Sequence, residues 1–147
     1  MDETAYRQTR RAAIDHPCPF EQALLTRCAA CALEQRRHIA EREAVACVDA
    51  EARAACTALL GLLRRNAAFA LHRVRQEERL THAQEMKVQC GGLAGLQQAL
   101  TGADTVDDVS ALMRAARRSR GGLEDLPWSE IVQSVAAWQP RRRARRS

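Results

Sequence analysis

The chain has 147 residues, of which 46% are hydrophobic and only 3% are aromatic. This length indicates one compact domain, and the hydrophobic content can bury a core, so wholesale disorder is excluded. Alanine and leucine, with 28 and 15 residues, dominate the hydrophobic set, and no proline occurs between Pro19 and Pro127. Because both residues are strong helix formers, these observations exclude a β-sandwich and a parallel-sheet enzyme. We expect an all-α fold, a compact bundle of four to six helices.

Charge is distributed unevenly along the chain. The net charge is +5, from 23 lysines and arginines against 18 aspartates and glutamates, and residues 141–147 hold five of the arginines. Without these five the two signs balance, so the body of the protein is neutral. We therefore expect a polar lead-in over residues 1–16, a single helical domain over residues 17–140 and a disordered basic tail over residues 141–147.

The first main helix is expected to begin at Cys18-Pro19-Phe20-Glu21, because proline at the first helical position and glutamate near it are typical of a helix start. Nothing in the sequence stops it before Cys47. Asp49 is the expected N-cap of a second helix. That helix has a core face at helical spacing: Ala52, Cys56, Leu60, Leu63, Ala67, Leu71 and Val74.

Three further helices follow in the second half of the chain. Thr81 to Gln84 has the sequence of a capping box, and this helix is expected to end at Cys90-Gly91-Gly92. Another helix is expected to begin at Thr105 to Asp108 and to stop at Gly121-Gly122. The last amphipathic helix is predicted from Pro127 to Trp138, before Pro140 closes the domain.

The sequence also predicts a cellular compartment. The first four residues are acidic and polar with no apolar signal-peptide segment after them, and the longest uncharged apolar stretch, residues 54–63, is too short to span a membrane. We therefore expect a cytoplasmic protein with no membrane association. Since cytoplasmic thiols stay reduced, the six cysteines are expected to be buried thiols, metal ligands or redox centres.

Three cysteines are the predicted metal ligands. Cys28 and Cys31 form the only Cys-x-x-Cys, and on a helix positions three apart share a face. If the first two helices are antiparallel and the chain turns again near residue 80, Cys90 lies in the same layer. The fourth ligand would be Cys18, His72 or Cys47. This set favours an iron–sulfur cluster for redox, sensing or cluster delivery, with structural zinc as the alternative cofactor.

Other interpretations of these residues stay open. The cysteines of the Cys-x-x-Cys pack equally well as small core residues, as does Cys56 on its leucine face. His82, Met86 and Cys90 recur at four-residue intervals, a spacing that would suit copper. The chain has no phosphate-binding glycine loop, no Gly-x-Ser-x-Gly and no His-Glu-x-x-His, so the sequence favours a protein that is not an enzyme.

The second functional hypothesis is a helical interaction module whose cysteines are core residues. The Trp128–Trp138 helix could dock a partner protein through its two tryptophans. The arginines of Arg141–Arg146 could bind nucleic-acid phosphate or an acidic protein surface.

Overall fold

The computed structural model describes residues 3–13, 16–72, 79–119 and 121–140. Within these ranges the fold is helical with one β-hairpin. The elements follow in chain order: α1 Glu3–Ala13, α2 Glu21–Leu25, β1 Glu34–Ile39, β2 Arg42–Cys47, α3 Ala50–Ala67, α4 His82–Met86, a π-helical turn Lys87–Gly91, α5 Gly92–Thr101, α6 Val109–Arg118, a 3-10 turn Leu123–Asp125 and α7 Trp128–Ala137.

The all-α prediction is wrong, because residues 34–47 form an antiparallel hairpin in which Glu34 pairs with Cys47 and Ile39 with Arg42. The two-residue turn between its strands consists of Ala40 and Glu41, both with positive φ. Such turns match the twist of a hairpin but are usually made by glycine or asparagine. The sequence therefore carries none of the ordinary turn residues, and β1 is largely polar.

The predicted first helix is much shorter than expected. Only residues 21–25 are helical. Thr26 follows the last helical residue, and its hydroxyl group donates a hydrogen bond to the Gln22 carbonyl at 2.8 Å. Arg27 then takes a left-handed conformation with φ of 64°. After this turn a short extended segment around Ala29 and Ala30 lies beside Val106: Ala29 forms a parallel bridge with Val106, and the Ala30 N–H donates to the Val106 carbonyl at 3.0 Å.

The predicted helix starts are confirmed where they depend on local capping chemistry. The Asp49 side chain accepts from the Glu51 N–H at the start of α3, and Thr81 and Gln84 make both bonds of a capping box at α4. Asp108 caps α6 in the same way. The predicted stop at Gly91-Gly92 is wrong, because the chain continues from α4 through the π-helical turn into α5, which ends at Gly102 with φ of 78°.

The main hydrophobic core lies among α2, α3, α5, α6 and α7, around fully buried side chains such as Phe20, Leu63, Leu93 and Ile131. The hairpin contributes Val45 to this core from one face. On its other face a second small core of Ile39, Ala44 and Ala46 packs against Tyr6 of α1. The hairpin therefore joins α1 to the helical body.

None of the helices in the described ranges is long and apolar enough to cross a membrane.

Candidate functional site: a disulfide and a group of four thiols

A disulfide bond joins Cys28 to Cys90, with their Cα atoms 5.9 Å apart across a sequence separation of 62 residues. Cys28 is half-buried in the extended segment after α2, whereas Cys90 is only 2% exposed in the π-helical turn. Single π-helical turns within α-helices occur frequently at functional sites. The bond therefore ties the segment that precedes the hairpin to the centre of the helical core.

A buried polar contact supports the same junction. Gln89, 3% exposed, accepts a hydrogen bond from the Ala23 N–H at 3.0 Å and donates one to the Glu85 carboxylate at 2.8 Å. Glu85 in turn pairs with Arg64 of α3 at 2.6 Å. Because a buried N–H without a partner costs about 1–3 kcal/mol, Gln89 holds α2 against the π-helical turn independently of the disulfide.

Thr26 lies beside both sulfur atoms of the disulfide. Its hydroxyl oxygen is 3.7 Å from Cys28 Sγ and 3.8 Å from Cys90 Sγ. In the disulfide state this hydroxyl donates to the Gln22 carbonyl. When the bond is reduced, the same hydroxyl is close enough to turn and donate to a thiolate at either position.

The other four cysteines, Cys18, Cys31, Cys47 and Cys56, are free thiols, and we call them the thiol cluster. The antiparallel bridge between Pro17 and Ala46 brings Cys18 and Cys47 to one face, since the Cys18 N–H bonds to Val45 and the Cys47 N–H to His16. Cys47 also donates its thiol hydrogen to the Asp49 carbonyl at 3.3 Å.

Burial governs the acidity of Cys18 and Cys56 in this cluster. Burial is the largest cause that raises the pKa of the Cys56 thiol to about 12, and the nearby ionisable thiols of Cys18, Cys31 and Cys47 act in the same direction. Burial likewise raises the pKa of Cys18 to about 12, against a backbone hydrogen bond from Phe20 that lowers it. These thiols are therefore neutral at physiological pH and poor nucleophiles.

Cys31 lies at the N-terminus of α6. Burial raises its pKa, although N–H groups of Leu33 and Ser110 point to its sulfur and act in the opposite direction. Asp108, the cap of the same helix, is partly desolvated, which acts to raise its pKa. Hydrogen bonds from the Ala32 N–H at 2.9 Å and from Ser110 outweigh this and hold the pKa below its usual value. Asp108 thus fixes the extended segment to α6.

The predicted metal centre is wrong. Cys28 and Cys90 are consumed by the disulfide, and a metal ligand must be a free thiolate. Because α2 ends at Leu25, Cys28 and Cys31 do not lie on a helix, and the helical spacing that was expected to place them on one face does not apply. Among the described residues no group of three or more histidine, cysteine, aspartate or glutamate side chains is arranged to hold a metal ion. The predictions of an iron–sulfur cluster and of a structural zinc are therefore both wrong.

The proposed fourth ligands lie in different places. Cys18 and Cys47 belong to the thiol cluster, whereas His72 is exposed beyond the end of α3 with φ of 58°. Of the three cysteines predicted to converge in one layer, Cys28 and Cys90 are bonded to each other and Cys31 is a free thiol; Cys28 comes to Cys90 through the turn after α2 and not through two antiparallel helices.

The two tryptophans of the predicted partner helix pack against the main core and are partly buried, while Ile131 and Val135 of α7 are fully buried. The Trp128 indole N–H donates to the Leu123 carbonyl at 3.1 Å. Partner binding by this helix stays a prediction. The arginine tail lies outside the described residues.

Cys28 also lines a cavity of about 390 Å³, which we call the Cys28 cleft. Its walls come from the extended segment, the hairpin and the loop before α6, and they carry both signs of charge: Arg27, Arg36, Glu34, Glu43 and Asp107.

The sequence did not predict a role for Thr26, Gln89 or Arg27, because each acts through a contact that depends on the turn after α2. The one available signal was Gln89, a polar residue among apolar neighbours on a helix.

Compared with family models, with curated proteins and with solved structures, the chain matches none of them.

Proposed function

We propose that the chain is a cytoplasmic redox-responsive protein whose Cys28–Cys90 pair cycles between a disulfide and two thiols. The observation that carries the proposal is the disulfide itself, which lies beside a cleft and within 3.8 Å of a hydroxyl group, in a protein whose other four cysteines are thiols. The proposal assigns the chain no enzymatic activity.

The mixture of one disulfide and four thiols favours a reducing compartment. In an oxidising compartment, cysteines present in an even number are usually paired throughout. Cys18 and Cys47 lie on neighbouring backbone segments and are unpaired. Disulfides of cytoplasmic proteins are most often redox-sensing or catalytic, so the single bond between Cys28 and Cys90 is the expected responsive element.

The reaction exchanges two electrons. Reduction by two thiol molecules RSH breaks the bond between the two sulfurs, gives a protonated thiol at Cys28 and at Cys90, and releases the oxidised product RSSR. Oxidation of the pair runs this exchange in reverse, with RSSR as the oxidant. Gln89 and the buried side chains of α2 keep the two cysteines close in the reduced state, so that the bond can form again.

The test is a redox titration of the purified protein. Samples are equilibrated at pH 7 with graded ratios of reduced and oxidised glutathione, free thiols are alkylated, and the linked tryptic peptides are measured by mass spectrometry. Because Cys28 and Cys31 fall in one tryptic peptide, the Cys31→Ser variant is titrated in parallel to identify the bonded cysteine.

We expect one reversible transition between Cys28 and Cys90 within the cytoplasmic glutathione range of roughly −220 to −320 mV. Cys56→Ser is the matched control, because it removes a thiol of the cluster and should leave the transition in place. A bond that stays oxidised throughout this range would make it a permanent structural link. Failure to detect a linkage between these cysteines would contradict the proposal directly.

A further inference from the structure

The Cys28 cleft has the chemistry of a binding site for the reductant. Cys28 lines this cleft, whereas Cys90 does not line it and is 2% exposed. A thiol that approaches from solvent therefore meets the disulfide on the Cys28 side. This inference depends on the proposed redox function and adds to it the class of the reacting thiol.

The charged groups of the cleft are divided between an internal network and its rim. Arg36 is held inside, with its guanidinium 3.3 Å from Glu43, 3.6 Å from Glu34 and donating to the Leu24 carbonyl at 2.9 Å. Arg27 is exposed, and within the described part of the chain no carboxylate forms an ion pair with it. Asp107, which also lines the cleft, is exposed on the loop before α6.

The backbone conformation at Arg27 is the reason why its side chain lies at the cleft. A positive φ is uncommon for a residue with a side chain, and at this position it turns the chain sharply from α2 into the extended segment. Arg27 and Cys28 consequently line the same cavity. The cleft thus carries one exposed cation, Arg27, and one exposed anion, Asp107, in the same lining as Cys28.

We propose that the Cys28 cleft binds a small zwitterionic peptide thiol of the glutathione class. Its carboxylate would pair with Arg27 and its ammonium group with Asp107, which directs its sulfur to Cys28 Sγ. An exposed pair of this kind is weak, so its effect belongs to rate and selectivity rather than to tight binding.

The exchange proceeds in two balanced steps. The thiolate of the ligand attacks Cys28 Sγ and forms a mixed disulfide, while the bonding electron pair leaves on Cys90 Sγ, which then takes up a proton. The Thr26 hydroxyl, 3.8 Å away, is placed to donate a hydrogen bond to this leaving thiolate. A second thiol attacks the ligand sulfur of the mixed disulfide, releases the oxidised ligand and leaves Cys28 as a thiol.

The test compares two reductants on the oxidised full-length protein. The rate of disulfide opening is measured with glutathione and with 2-mercaptoethanol, which has no charged group to pair with the rim. Arg27→Gln should lower the rate with glutathione about two- to five-fold, as expected for an exposed ion pair, and should leave the rate with 2-mercaptoethanol unchanged. Added salt should reduce the wild-type preference for glutathione.

Arg37→Gln is the matched control, since Arg37 is an exposed arginine of β1 that does not line the cleft. It should change neither rate. In Cys90→Ser treated with oxidised glutathione, the mixed disulfide should map to Cys28. If Cys90→Ser folds poorly, the rate comparison of wild type with Arg27→Gln still tests the proposal, because it does not use that variant.

Two results would overturn the inference. One is an equal effect of Arg27→Gln on both reductants, or no effect on either. The other is a mixed disulfide on the thiol cluster in place of Cys28. In either case, reversible opening of the disulfide by 2-mercaptoethanol would still support the proposed redox function. A disulfide that neither thiol opens would contradict both the redox function and the proposed thiol-binding site.

Discussion

At the scale of single residues, the disulfide separates the six cysteines into a bonded pair and four free thiols, and burial sets the acidity of two of these thiols. Cys18 and Cys56 have pKa values near 12 because desolvation penalises their thiolates. Cys28 and Cys90 are bonded to each other. Since the thiolate is the reactive form in exchange, the neutral thiols of Cys18 and Cys56 are poor reactants in the exchange that the disulfide pair undergoes.

The raised pKa of Cys56 predicts a loss of stability at alkaline pH. Its folded pKa of about 12 lies above the unfolded value of about 8.5, so the folded state keeps a proton that the unfolded state has released. This contribution is complete below about pH 8.5 and is lost as pH rises toward 12, with a slope of up to about 1.4 kcal/mol per pH unit. The free energy of urea unfolding between pH 7 and 10.5, in freshly mixed samples, measures it.

Cys56→Ala should make this decline shallower. The variant also removes a buried side chain, which lowers stability at every pH, so the informative quantity is the slope. Leu60→Ala, a buried substitution one turn further along α3, controls for that loss and should keep the wild-type slope. Parallel pH profiles for wild type and Cys56→Ala would show that this thiol is not protected in the fold.

Residues that act on their own neighbourhood could be predicted from the sequence, and residues that act across the fold could not. Asp49 and Thr81 cap their helices through N–H groups two or three residues away, so the local sequence contains the whole interaction. Gln89 bonds to Ala23, 66 residues away. Its role depends on the position of α2, which no local pattern specifies.

At the scale of elements, the hairpin explains why the all-α prediction failed. Alanine-rich β2 resembles a helix in composition, yet its residues 44–46 are buried on both faces, against the main core and against Tyr6. Tertiary packing of this kind overrides the weak preference of alanine for helix. Because helices elsewhere follow strong periodicity and caps, most of the remaining elements were predictable.

Close packing of α7 on the π-helical turn and α5 is the next feature that can be tested. A Cβ atom added at Gly91 would lie 2.9 Å from the Ser134 carbonyl oxygen and from the Val135 Cα. Because these are backbone atoms, Gly91→Ala must displace α7, and we expect a loss of roughly 1–3 kcal/mol in unfolding free energy. Urea denaturation followed by tryptophan fluorescence measures this loss.

Gly61→Ala provides the opposite expectation within the same protein. Gly61 is exposed in the middle of α3, and a Cβ there meets no atom within 4 Å. Alanine is the better helix former by about 1 kcal/mol, so this variant should be more stable than wild type. A neutral Gly91→Ala beside a stabilised Gly61→Ala would mean that α7 does not pack as closely as described.

At the scale of the whole molecule, the disulfide links the part of the chain that carries the hairpin to the helical part. It closes a loop of 62 residues, and a loop of this size is expected to stabilise the fold by about 4 kcal/mol if chain entropy alone is counted. Measured effects of native disulfides are commonly 2–4 kcal/mol. We therefore expect the oxidised protein to be more stable than the reduced protein by that amount, or by roughly 5–15 °C in Tm.

The comparison is made by thermal unfolding of the oxidised protein, of the same protein in excess dithiothreitol, and of the Cys28→Ala, Cys90→Ala double variant. Dithiothreitol should lower the Tm of wild type and leave that of the double variant unchanged. The reduced protein should still unfold cooperatively, because Gln89 and the fully buried Phe20 and Leu24 continue to hold α2 on the core. If the reduced chain loses its cooperative transition, the disulfide is required for folding, and a reversible switch between two folded states is contradicted. A reduced state that is less stable but intact is the state that a cycling disulfide needs.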